Sequence, residues 1–150
     1  MPRVSVSGII SAPREEVFRL WTAYGNERKV RAFPAMQSQR VISLDGNVAV
    51  VENVFNVGGR TITDRRRYVL YPPERIEETI LESPGVWGTM EQRFEEVPEG
   101  TRVTLVQDLH FKGFRFFLAP LLQGFLQGNA QEVIVKVQAF LKSEGGGTRE

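Results

Sequence analysis

Apolar and polar residues alternate from Arg3 to Ile10, a stretch rich in Val, Ile and Ser, and the period of two predicts a strand. The period then changes. Val17, Leu20, Trp21 and Tyr24 fall at i, i+3, i+4 and i+7, one face of a helix. Ser11 is the expected cap, Pro13 suits the first turn, Glu15 and Glu16 suit the positive end of the dipole, and Gly25 is the expected end. Asn26 is placed to cap a second, short helix through Ala32, which Pro34 stops. Six alternating segments follow: Gln37 to Leu44, Val48 to Val57, Arg60 to Tyr71, Arg75 to Leu81, Val86 to Val97 and Thr101 to Phe111. They are separated by Asp45-Gly46-Asn47, Gly58-Gly59 (a turn or bulge), Pro72-Pro73, Ser83-Pro84-Gly85 and Pro98-Glu99-Gly100. Connections this short require antiparallel neighbours. A long helix begins between Phe114 and Ala119, carries Pro120 in its first turns and runs to about Lys142. The predicted order is strand, two helices, six strands, long helix: an α+β fold in which seven antiparallel strands carry all helices on one side. One domain spans 1–142, and the Gly-rich polar segment 143–150 is expected to be a disordered tail.

Composition narrows the class. The 150 residues are 41% hydrophobic, which suits one core. A formal charge of +1 from 19 basic and 18 acidic residues leaves no electrostatic footprint for nucleic acid. Without cysteine there is no disulfide and no thiolate metal site, which fits a reducing compartment. The first ten residues lack the long apolar run of a signal peptide, and no segment reaches the roughly 20 apolar residues that span a bilayer. A cytoplasmic protein is the expectation.

Several stretches resemble the START-like or SRPBCC superfamily, the helix-grip fold shared with the major birch pollen allergen. "VSGIISAPREEVFRLW" (Val6 to Trp21) resembles that family's strand-and-helix opening, and "YPPERI" (Tyr71 to Ile76) its proline-marked hairpin. "GTRVTLVQDLHFKG" (Gly100 to Gly113) is similar to its last strand, and "APLLQGFLQG" (Ala119 to Gly128) to the start of its lid helix. The polyketide cyclase/dehydrase and coenzyme Q-binding START branches are the nearest in resemblance. The resemblance implies a curved seven-stranded sheet around the C-terminal helix, with a cavity between them for an apolar ligand.

Alternation identifies the side chains that face such a cavity. Val103, Leu105, Gln107, Leu109 and Phe111 share a face of the last strand, Met90, Gln92 and Phe94 of the one before, and Ala49, Val51, Asn53 and Phe55 of the third. In Arg60 to Tyr71, the parity set by Ile62, Tyr68 and Leu70 includes Asp64 and Arg66; the opposite parity brings Arg65 and Arg67 inward. Either register places charge on the concave face, where it must be paired, neutralised or met by a ligand. One reading is a polar patch of Asp64, Arg66, Tyr68 and Gln107, with Asn53 and Gln92, inside an apolar pocket. The other is an Asp64–Arg66 pair at the sheet edge, half in solvent and purely structural. Trp87 lines the cavity mouth or packs at the rim. Leu121, Gly124, Phe125 and Gly128 on the last helix complete the ligand-binding set; the two glycines leave room for a ligand or for close packing. His110, the only histidine, falls on the outer parity. The adjacent pairs Glu15-Glu16, Glu77-Glu78 and Glu95-Glu96 read as solvated faces. No metal spacing and no phosphate loop is present, and no cofactor is expected.

The leading expectation is non-catalytic binding or transport of a small hydrophobic molecule: a quinone, a lipid or a polyketide-like compound. The alternatives are a cyclase/dehydratase using Asp64, Arg66 and Tyr68, and a protein-interaction module without a cavity. Membrane contact through Phe114 to Leu126 is a minor reading, and the chain is expected to be a monomer or a homodimer.

Overall fold

Tight turns between six successive strands leave one arrangement open to the chain, an antiparallel meander, which the first strand joins at its far end. The computed structural model describes residues 3–33, 36–57, 59–112 and 119–148, and their side chains except those of 57, 119–127, 129 and 145–148. The elements are β1 (Arg3–Ile10), α1 (Arg14–Trp21), α2 (Glu27–Ala32), β2 (Met36–Asp45), β3 (Val48–Val57), β4 (Arg60–Tyr71), β5 (Arg75–Glu82), β6 (Val86–Val97), β7 (Gly100–Phe111) and α3 (Ala119–Thr148). The curved seven-stranded sheet has the order β1-β7-β6-β5-β4-β3-β2, all antiparallel. This is the α+β helix-grip arrangement expected from the sequence.

The core lies between the concave face and the helices. Phe18 and Trp21 of α1 meet Phe94 of β6 edge-on, each with ring centroids 5.4 Å apart, and Phe33 stands edge-on to Trp21 at 4.9 Å. Ala130, Ile134, Val137 and Leu141 of α3 form a buried stripe at helical spacing. This helix packs chiefly on β1 and also touches α2. Gly8 of β1 makes that approach possible: a Cβ there would lie 2.9 Å from Ile134 Cγ2.

Several local expectations are corrected. Ser11 does not cap α1. The N-cap is Pro13, without a side-chain bond, because Ser11 is taken by α3: its N–H donates to Gln138 Oε1 (2.8 Å) and its Oγ lies 3.2 Å from Gln138 Nε2. The helix ends at Trp21, before Gly25, which instead occupies the turn to α2 at φ +80°. Asn26 does cap α2, accepting from Arg28 N at 2.8 Å. Val57 pairs directly with Arg60, so Gly59, at φ +82°, serves a tight turn rather than a bulge; Gly58 lies outside the described residues. The segment expected to be a disordered tail is helical as far as Thr148. Glu144 anchors it, accepting a forked pair of bonds from Arg28 at 2.6 and 2.9 Å. Residues 113–118, where the long helix was expected to begin, lie outside the described residues.

The contact between β1 and α3 yields a direct test. Gly8→Ala is expected to cost about 1–3 kcal/mol, because the new methyl would stand 2.9 Å from Cγ2 of the buried, β-branched Ile134, so one of the two has to shift. Ile134→Ala removes the opposing methyl, so in the double variant the two losses sum to less than their separate values by at least about 0.5 kcal/mol. Urea unfolding of the four proteins measures this; simple additivity would show that Gly8 does not set the helix approach.

Candidate functional site

β4 carries Asp64, Arg66 and Tyr68 at i, i+2 and i+4, so one strand presents all three to the concave face. Arg65 and Arg67 lie on the opposite face of the strand. Neighbouring strands bring the partners by register. Asn53 of β3 stands opposite Asp64, Glu78 of β5 opposite Tyr68, Met90 of β6 opposite Glu78, and Gln107 of β7 opposite Met90.

These side chains form one connected network. Arg66 donates from Nε (3.0 Å) and Nη2 (2.7 Å) to Asp64 Oδ2, and from Nη1 to Glu78 Oε2 at 2.5 Å. The second oxygen of Asp64 accepts from Asn53 Nδ2 at 3.2 Å, and Gln39 Nε2 donates to Asn53 Oδ1 at 2.7 Å. Asn53 Nδ2 also lies 3.4 Å from the Tyr68 hydroxyl. The second oxygen of Glu78 accepts from Gln92 Nε2 at 3.0 Å. Burial opposes the charge of Arg66, but Glu78 and Asp64 outweigh it and hold the guanidinium's pKa above its ordinary value. The edge-pair reading is thereby corrected. β4 lies inside the sheet, two strands from the β2 edge, and the Asp64 side chain is 2% exposed.

Two members of the site escape the sequence reading. The pairing of Glu78 with Glu77 suggests a solvated face, yet only Glu77 faces outward; Glu78 lies between the buried Ile76 and Ile80, and that alternation marks it as inward. Lys29 of α2 is 3% exposed. Its Nζ lies 4.1 Å from the ring centroid of Tyr24, 5.1 Å from that of Phe33 and 5.6 Å from that of Tyr68. Tyr24 and Tyr68 stack on each other at 4.5 Å. Among the described residues, no carboxylate forms an ion pair with this ammonium. Burial is the main cause that lowers its pKa to about 7; Glu78 pulls it up and Arg66 pushes it down. Burial likewise raises the Tyr24 and Tyr68 hydroxyls above the ordinary phenol range.

A cavity of about 160 Å³ opens against this cluster. Its apolar walls are Trp21, Phe33, Met36, Phe55, Leu105, Val106 and Val133, with Met90 alongside; its polar corner is Lys29, Arg66, Tyr68, Glu78, Gln92 and Gln107. Gln92 Oε1 and Gln107 Oε1 are buried without hydrogen-bond partners, as is the Tyr24 hydroxyl. Of the ligand-binding residues predicted from sequence, Arg66, Tyr68, Met90, Gln92 and Gln107 line this cavity. Asn53 and Asp64 do not; they stand behind Arg66 and Tyr68 and hold them in place. Trp87 falls on the outward parity of β6, where it is 52% exposed and stacks on His110 at 5.6 Å. Gly128 is exposed with open space around it, because the buried stripe of α3 runs along another side of the helix. Leu121, Gly124 and Phe125 lie outside the residues whose surroundings are described. Among the described residues, no three His, Asp or Glu gather to hold a metal ion, and no helix is long and apolar enough to cross a membrane.

A buried lysine with a lowered pKa gives stability a distinctive pH dependence. Between about pH 7 and its ordinary 10.5, the unfolded chain binds a proton at Lys29 that the folded chain does not. Stability therefore rises with pH across that window, by up to about 1.4 kcal/mol per pH unit. The raised tyrosine pKa values act in the opposite direction above about pH 10, where the unfolded chain loses phenolic protons that the folded chain holds, so there the rise gives way to a fall. Denaturant unfolding at a series of pH values should show the rise in the wild-type chain and a flatter profile in Lys29→Met. Parallel profiles would remove Lys29 as its source.

The comparisons with known proteins agree with the fold. No curated protein matches the sequence. Among solved structures, TTHA0849 from Thermus thermophilus superposes with a TM-score of 0.80 at 20% identity, over 95% of this chain and 99% of its own. The Zhui aromatase/cyclase from Streptomyces sp. R1128 gives a TM-score of 0.73 at 18% identity, over 95% and 92%. A START superfamily protein from Mycobacterium smegmatis gives 0.79 at 10% identity, over 94% and 97%. At these identities the superpositions speak for the fold. The family model described as polyketide cyclase/dehydrase and lipid transport matches residues 1–141, and the chain belongs to that family.

Proposed function

We propose that the chain binds one small, largely apolar molecule bearing oxygen groups, seated between the sheet, α2 and α3. The observation that carries this reading is the pair of orphaned buried oxygens, Gln92 Oε1 and Gln107 Oε1, on residues that line the same cavity as Lys29, whose ammonium has no carboxylate partner among the described residues. Buried polar atoms are normally satisfied. The amide nitrogen of Gln92 is committed to Glu78, so its oxygen is left as an acceptor. A ligand hydroxyl would satisfy one of the two acceptors and a second hydroxyl the other, and a carbonyl, phenolate or carboxylate oxygen would satisfy Lys29. The apolar walls supply affinity at roughly 25 cal/mol per Å² removed from water, and the polar corner fixes orientation. A cavity of about 150 Å³ accommodates a molecule such as benzene. The volume therefore favours one or two rings, as in a quinone or an aromatic polyketide-like compound, over a two-chain lipid.

A cyclase/dehydratase acting through Asp64 is a weaker reading, although solved relatives include proteins described as aromatase/cyclases. Both Asp64 oxygens are engaged and the residue does not line the cavity, so it has neither a free lone pair facing a substrate nor access to one. Binding without conversion accounts for the arrangement with fewer requirements. An interaction module with a filled interior gives no reason for the orphaned oxygens.

Native mass spectrometry of protein purified from its own host, followed by extraction, is expected to return one ring compound per chain, chemically unchanged by incubation. In a Trp87→Phe background, Trp21 fluorescence should report 1-naphthol binding at least about tenfold tighter than naphthalene, the equivalent of one charge-assisted hydrogen bond. Gln92→Leu should shrink that preference. Equal affinity for the two probes, or entry of neither, would contradict the assignment.

A further inference from the structure

We propose that Lys29 is a nucleophile and that the cavity takes apolar aldehydes and ketones as a reversible covalent imine on its Nζ. The inference rests on the binding reading above and goes further by naming the class of ligand chemistry. Its basis is the division of charge around the cavity. Asp64 and Glu78 are both consumed by Arg66, and their remaining oxygens by Asn53 and Gln92. Lys29 lines the cavity with aromatic faces around its amine; these attract an ammonium through their quadrupoles but, unlike a carboxylate, do not accept its proton, so they leave burial as the dominant influence. A lysine desolvated among apolar walls near another cation is the usual form of an imine-forming amine.

The charged and titratable groups around Lys29 are Glu78, which favours the ammonium, Arg66, which disfavours it, and the two neutral phenols Tyr24 and Tyr68. Burial dominates and leaves a pKa of about 7. At neutral pH a substantial share of Lys29 is then free amine, far above the share for a lysine in water. Lys112, Lys136 and Lys142, the other lysines of the chain, are exposed.

The chemistry closes without any further reactant. The nitrogen lone pair attacks the carbonyl carbon, a C–N bond forms, and the carbonyl oxygen takes up a proton to give a carbinolamine. The C–O bond then breaks and the oxygen leaves as water, carrying the two protons the amine has lost. Hydrolysis reverses both steps. The carbinolamine hydroxyl is a donor of the kind that the buried oxygens of Gln92 and Gln107 lack. The apolar walls select the remainder of the ligand.

The test uses the folded full-length chain with 2-naphthaldehyde as probe and cyanoborohydride to fix any imine as a stable secondary amine, followed by peptide mapping. One naphthylmethyl group is expected on Lys29, formed at least about tenfold faster than on Lys112, Lys136 or Lys142, given its larger free-amine fraction. Site mapping on the wild-type chain decides this by itself. Lys29→Arg, which retains a cation, adds a control that should lose the label. Labelling spread evenly over the four lysines, or absent from Lys29 while 1-naphthol still binds, would overturn the imine and leave the binding reading standing. Exclusion of both 1-naphthol and the aldehyde would overturn the two together.

Discussion

A guanidinium on the concave face of a sheet has to be neutralised where it stands, and the interior of this protein is organised around that requirement. Arg66 is gripped from its own strand by Asp64 and from the next by Glu78. Removing one partner of such a buried set typically costs about 3–5 kcal/mol, because it strands the opposite charge. The register of β3, β4 and β5 is therefore fixed by electrostatics as well as by apolar alternation. A slip of one residue would turn Asp64 and Arg66 to solvent and bring Arg65 and Arg67 inward.

The same requirement decides what remains for chemistry. Two carboxylates on one guanidinium leave a net negative charge, and both are fully engaged. The ammonium of Lys29 approaches from α2, with aromatic rings in place of a partner. The strand network is thus a rigid, satisfied floor. The adaptable groups are Lys29 and the free oxygens of Gln92 and Gln107.

The fold was largely legible because its signals are local. Period-two alternation between glycine- and proline-bearing turns dictates a meander, and the resemblance of four short segments to known relatives supplied the curvature and the lid. Parity placed Asn53, Gln92 and Gln107 on the concave face and offered Asp64, Arg66 and Tyr68 as one of two registers, between which the pairing with β3 and β5 decides. The misses have physical causes. Glu78 was hidden by Glu77, although the flanking Ile76 and Ile80 carried the necessary alternation. Lys29 sits on a six-residue helix too short for an apolar stripe, and its burial depends on rings brought from beyond that helix, Tyr24 and Tyr68 among them. Ser11 carried a sound capping signal, but Gln138, more than a hundred residues away, claimed it. Gly128 and Trp87 were placed by analogy and by proximity to a turn, neither of which fixes the direction of a side chain.

The central claim is that Arg66 engages the carboxylates directly and leaves Lys29, buried among aromatic rings, without an ion-pair partner among the described residues. NMR titration of the lysine side chains, labelled at Cε and Nζ and assigned with Lys29→Arg, measures this directly. Lys29 is expected to titrate with a midpoint of about 7. A Lys29 midpoint near the value of about 10.4 that a lysine has in water would contradict it.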